Sequence, residues 1–161
     1  MEQFQSARED AKKNIKLADH MITITYPLIK DSKLLLAVME NLFLAYTNAM
    51  NSILYYDRLF KRIPAFPDTF ECKLRMFRQK CMLKHNLSKN FANEIQEIKE
   101  IMEEHRKSPV EFSRKDKFVI CSDNYNMRSL SPGDIRRYIE KAKLFIQAMD
   151  NIVGKNDRLF R

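Results

Sequence analysis

KLLLAVMENLFLAYTNAMNSILYYDRLFKRI, running from Lys33 to Ile63, is the stretch from which the architecture is read. It contains no Gly and no Pro. Leu35, Val38, Leu42, Ala45, Ala49, Ser52, Tyr56 and Phe60 recur at steps of three and four, which traces one face of a helix. Leu34, Met39, Leu44, Met50, Ile53 and Leu54 carry the apolar surface well round the cylinder. A helix apolar on several sides has to be covered by neighbouring helices. At about 1.5 Å per residue it would be about 45 Å long, enough to run the height of a small bundle.

Working outward, Ala7, Ala11, Ile15 and Ala18 make a narrow stripe in a first helix from about Phe4 to His20. The β-branched run Ile22-Thr23-Ile24-Thr25 weakens it, and Tyr26 before Pro27 predicts a break. Asp31 or Ser32 then caps the central helix, and Pro64 stops it. Asp68 is the expected N-cap of a third helix over Thr69 to Leu87, with Phe70, Leu74, Phe77 and Cys81 inward. A fourth helix from about Ser88 to Arg106 turns Phe91, Ile95, Ile98 and Met102 inward, and Glu94, Glu97, Glu100, Glu103 and Glu104 make it acidic. Lys117 to Ser131 then reads as a β-hairpin or ordered loop, because Phe118-Val119-Ile120-Cys121 is β-prone and a turn follows it. Ser131-Pro132-Gly133-Asp134 opens a last helix that ends at Gly154.

The chain has 161 residues, which suits one domain over residues 1–154 with a polar tail at 155–161. Its 45% hydrophobic and 31% charged residues mark a globular chain. Only two glycines occur, Gly133 and Gly154, and that scarcity argues against an all-β fold, which needs many turns. The formal net charge of +8 favours an acidic partner such as RNA; the alternative is a basic domain without one. The three cysteines, Cys72, Cys81 and Cys121, form no CxxC pair and fit free thiols in a reducing cytoplasm. The start is too polar for a signal peptide, and Glu40 and Asn41 interrupt the longest apolar run, so no membrane span is expected. His20, His85 and His105 show no paired spacing for a metal, and neither a metal nor a cofactor is expected.

Two patterns carry chemistry. Arg78 precedes His85 by seven residues, almost two helical turns, so both side chains are expected on one face. The Arg side chain can clamp a phosphate, and the His side chain can move a proton to or from a ribose oxygen. The Cα atoms would lie about 10 Å apart, so a dimer with pooled sites suits the pair better than one monomer. The second pattern is a basic band over residues 57–89, with nine cations against three acids, a local surplus of six. Arg58, Arg62, Lys73, Arg75, Lys80 and Lys84 belong to it, and such a field attracts a phosphate backbone. Arg114, Lys115, Lys117 and Arg128, with Tyr125 and Phe118, add a second cluster of cations and aromatics round the hairpin. The bland readings are a solvated helix face balanced by the acidic fourth helix, and an edge strand guarded by charge. A further polar set on the central helix, including Asn41, Thr47, Asn48 and Asn51, reads as a structural network more than a cleft.

The Arg78-Gln79…His85 motif on a helix of a small all-α bundle resembles the HEPN superfamily. The resemblance implies four or five antiparallel helices and frequent dimerisation. It also implies either metal-independent endoribonuclease activity or non-catalytic binding of RNA or nucleotides. The resulting expectation is an all-α antiparallel bundle of four to five helices with a short β-hairpin or long loop before the last. The expected function is binding of RNA or an RNA-containing assembly. The rivals are a ribonuclease with Arg78 as phosphate clamp and His85 as acid/base, and a protein–protein adaptor or homodimer.

Overall fold

The computed structural model describes residues 2–108, 110–114, 116–121 and 126–155. The apolar period of the opening stretch becomes α3 (Lys33–Leu59), the axis of an antiparallel helical bundle. Leu35, Val38, Leu42, Ala45, Ala49, Ser52 and Tyr56 are all buried, so the predicted face is the observed one. Phe60 is 43% exposed, because the helix has ended before it. The end comes five residues ahead of Pro64. Lys61 takes a left-handed φ of 56°, and the Arg62 and Lys61 N–H groups donate to the Asp57 and Arg58 carbonyls at 2.8 and 3.0 Å. That paired closure satisfies the last carbonyls without help from proline.

α1 (Gln3–His20) and α7 (Pro132–Val153) pack along α3 and against each other. Ser52 Oγ donates to the Phe4 carbonyl at 2.8 Å, and Asn48 donates to Asn14 at 3.0 Å across the α1–α3 contact. Asn41 and Thr47 bond to carbonyls one turn back on α3. The polar residues of the central helix are therefore mainly tied into the bundle. The expected break at Pro27 does not occur. A π-helical segment, Met21–Thr25, carries the chain into α2 (Tyr26–Ile29), and Tyr26 keeps helical angles of −59° and −45°. Pro27 has no N–H to donate, and the widened turns just before it absorb the misfit. Asp31 caps α3 through its carboxylate, which accepts from Lys33 N–H at 2.9 Å.

α4 (Phe70–Met76), a second π-helical segment (Phe77–Cys81) and α5 (Met82–Lys84) form one continuous rod. Its N-cap is Thr69, whose hydroxyl accepts from Cys72 N–H at 3.2 Å; the predicted cap, Asp68, instead pairs with Lys73. Asn86, with φ 51°, closes the rod and turns it into α6 (Lys89–Lys107), capped by Ser88. Asn tolerates that left-handed position better than most residues.

β1 (Val110–Arg114), β2 (Lys117–Cys121) and β3 (Met127–Leu130) make an antiparallel sheet in that order. The predicted hairpin is β2 and β3; β1 is an additional strand whose VEFSR sequence alternates apolar and polar residues. Phe118, Val119, Ile120 and Leu130 are buried, and β2 rests on α3 and α6. Ser131 and Asp134 form the capping box that starts α7. The predicted turn at Ser122-Asp123-Asn124, Tyr125, Lys115, the Arg114 side chain and most of the tail lie outside the described residues. Among the described residues no helix is long and apolar enough to cross a membrane.

Candidate nucleic-acid interface

The rod formed by α4, the π segment and α5 carries most of the basic band. Phe70, Leu74, Phe77 and Cys81 point toward the core, with Phe77 and Cys81 fully buried. Arg75, Arg78, Lys80 and Lys84 are exposed on the other side. Leu83, three residues after Lys80, is 77% exposed. Among the described residues Arg75, Lys80 and Lys84 have no carboxylate partner. Arg78 donates to Asn93 Oδ1 at 3.1 Å and to the Ala92 carbonyl at 3.4 Å, which orients its guanidinium while its charge stays unpaired.

The glutamates of α6 do not neutralise this surface. Tyr46 and Tyr138 hydroxyls donate to Glu94 and Glu97 at 3.0 and 2.8 Å. Gln96 donates to Glu100, Lys99 pairs with Glu103 at 3.6 Å, and Arg128 grips Glu104 at 2.6 and 3.1 Å. Burial pushes the Glu94 carboxyl up, and burial with the Glu97 hydrogen bond pushes the Tyr138 phenol up to about 12. Glu94, Glu97 and Glu104 are thus turned to α3, α7 and β3, while Glu103 lies beside the rod and is paired with Lys99 of its own helix.

Several predicted phosphate contacts are committed inside the protein. Arg58 stacks on Tyr55 and Phe66, with its guanidinium 5.0 and 4.8 Å from the ring centroids, and donates to Gln3. Lys73 is held by Asp68 and by the Tyr55 hydroxyl at 3.2 Å, and its side chain is 13% exposed. Arg62 lies over Tyr56 and Phe60 and 3.8 Å from Asp57. The bidentate hydrogen bond to Glu104 holds the Arg128 guanidinium above its usual range, so this residue is a strut between β3 and α6. Lys117 is exposed at the start of β2. Arg58, Lys73 and Arg128 thus have intramolecular partners, which a charge count along a sequence does not reveal.

Arg78 and His85 do not share a face. The π segment places the Met82 N–H on the Phe77 carbonyl, five residues back. An α-helical residue turns by about 100°, and the extra residue in the wider turn rotates the pair apart by roughly one such step. His85 swings into the end of α3. Its Nε2 lies 2.9 and 2.8 Å from the two oxygens of Asp57, and the side chains are 9% and 0% exposed. A carboxylate only accepts, so Nε2 carries the proton. Asp57 was not anticipated as a partner; its burial depends on α5 folding back over the last turn of α3.

Cys81 joins the same buried group. Burial, and then the neighbouring Asp57 carboxylate, push its thiol far above the ordinary range. A thiol is a poor nucleophile without its thiolate. Iodoacetamide labelling followed by peptide mapping at neutral pH is expected to modify the partly exposed Cys72 while leaving Cys81 intact until urea unfolds the chain. Equal labelling of the two in the folded protein would contradict the buried cluster.

A groove of about 350 Å³ lies between α4 and α6, lined by Phe70, Glu71, Leu74, Arg75, Arg78, Gln96, Lys99 and Glu103. Sequence reasoning passed over Glu71, Gln96, Lys99 and Glu103. The available signal was spacing: Glu71, Arg75 and Arg78 fall at i, i+4 and i+7, and Gln96, Lys99 and Glu103 at i, i+3 and i+7. Lys99 caps the ring of Phe70, 4.9 Å from its centroid. Among the described residues no cluster of three or more His, Cys, Asp or Glu is placed to hold a metal ion.

No family model matches the chain, and no curated protein matches it. The reading of the surface therefore rests on its own chemistry.

Proposed function

We propose that this protein is a non-catalytic RNA-binding helical module, resembling the non-catalytic members of the HEPN superfamily. Arg75, Arg78, Lys80 and Lys84 meet the phosphate backbone. One observation carries the reading: the α6 glutamates take their partners from α3, α7, β3 or α6 itself, so Arg75, Arg78, Lys80 and Lys84 face water without a carboxylate partner among the described residues. Arg78 suits a phosphate best, because its fork is already oriented by Asn93 and Ala92. The placement of His85 in a buried contact with Asp57, away from Arg78, favours binding over cleavage.

Fluorescence anisotropy with labelled single-stranded RNA in EDTA tests this. Four phosphate contacts predict a slope of about −3 for log affinity against log salt, hence about fiftyfold weaker binding at about 200 mM than at about 50 mM. Replacing all four residues with alanine is expected to abolish binding. Absence of binding at about 50 mM salt, where backbone attraction is strong, would refute the proposal. Cleavage of the RNA in EDTA would refute the non-catalytic reading.

A further inference from the structure

We infer that the groove between α4 and α6 is a base-reading site for one unpaired guanine nucleotide of the bound RNA. This inference rests on the RNA-binding reading above and names what that surface selects.

The groove has two chemically distinct ends. Arg78 meets Ala92 and Asn93 near the start of α6, whereas Phe70 meets Lys99 two turns later, so the rod and α6 run antiparallel. Arg75 and Arg78 therefore mark a cationic end, and Glu71 and Glu103 mark an acidic end. Seven residues separate Glu71 from Arg78, about 10 Å along the rod. A nucleotide has the same polarity and a similar length, with its phosphate at one extremity and the hydrogen-bonding edge of its base at the other. The floor between is apolar at Leu74 and at Phe70, one face of whose ring Lys99 covers, and it suits the apolar edge and face of a base. The volume falls at the lower end of ordinary ligand sites, room for a single nucleotide and not a helix.

The carboxylates set which base fits. Lys99 pairs with Glu103, so one of the two acids is already neutralised. Glu71 is exposed and has no cationic partner among the described residues. A free carboxylate presents two parallel acceptors. Guanine offers two adjacent donors, N1–H and the N2 amino group, which match it in the bidentate manner of a guanidinium. Adenine and cytosine offer a single amino group beside a ring acceptor, and uracil offers one imino N–H flanked by carbonyl oxygens, which a carboxylate repels. Within a duplex the guanine donors are already used in pairing, so the nucleotide has to be unpaired.

The test compares uridine-tract oligonucleotides carrying one central guanine, adenine or inosine, by anisotropy on the full chain. The guanine oligonucleotide is expected to bind about tenfold tighter than the adenine one, the discrimination of one good bidentate contact. Inosine, which lacks the amino group, is expected between them. Glu71→Gln, at an exposed position, is expected to erase the guanine preference, so that the guanine and adenine oligonucleotides bind this variant with equal affinity. RNA binding with equal affinity for guanine and adenine would overturn the groove inference and leave the binding module standing. A guanine preference that survives Glu71→Gln would also overturn it. Failure to bind any of the oligonucleotides would overturn both.

Discussion

Replacing His85 with alanine is expected to destabilise the protein by about 3–5 kcal/mol, because it leaves a buried carboxylate without its principal partner. Asp57 is fully buried, and the His85 ring supplies the two short contacts to its oxygens. What remains is the Cys81 thiol, a weak donor, and an Arg62 guanidinium 3.8 Å away. In a chain of this size the loss corresponds to a melting midpoint lowered by about 6–20 °C. The converse change, Asp57→Ala, strands only a ring N–H and is expected to cost less, about 1–3 kcal/mol. Urea unfolding of the two single variants and the double variant closes the cycle, and the double is expected to fall well short of the summed singles. A His85→Ala protein with wild-type stability would show that the contact contributes nothing. It would also reopen a chemical role for the imidazole.

Phe145→Ala is the second change with a large expected effect, again about 3–5 kcal/mol. Phe145 is fully buried on α7. Its ring lies 5.9 Å from Tyr46 on α3, 5.8 Å from Phe77 in the π segment and 5.0 Å from Phe91 on α6. One side chain thus joins the axis of the bundle to both walls of the groove. Phe77 precedes Arg78, and Phe91 precedes Ala92, whose carbonyl accepts from Arg78. The cavity left by alanine cannot close without moving one of those walls, which is why the cost belongs at the high end for a core truncation. Chemical denaturation measures it. A loss below about 1 kcal/mol would mean that the four helices do not depend on this ring.

The two changes also separate what was readable in the chain from what was not. Phe145 lies in a wide apolar stripe on α7, and Ile135, Ile139, Ala142, Met149 and Ile152 on the same stripe are buried as the period predicts. The His85–Asp57 contact had no such warning. Asp57 belongs to a basic stretch and reads there as one solvated acid among many cations. The π segment altered the direction of every residue after Phe77, and nothing in FRQKC announces a widened turn. Pro27 misled in the opposite sense, since the helix passes through it with the help of the first π segment.

Periodicity was sufficient for the helical bundle and the course of α3, because burial of an apolar face repeats with the helix and is written into spacing; the β2–β3 hairpin and the start of α7 were legible from a β-prone run and from capping residues. Partnerships are not written there. Whether a cation meets water, an aromatic ring or a carboxylate depends on which helix packs beside it, and at what rotation. Arg128 and Arg75 look alike along the chain, yet one grips Glu104 and the other opens into a groove. That difference arises when α6 turns Glu94, Glu97 and Glu104 toward Tyr46, Tyr138 and β3, an orientation fixed by the burial of Ile95, Ile98 and Ile101 beside them. Packing of one apolar stripe thus selects which charges are left for a partner.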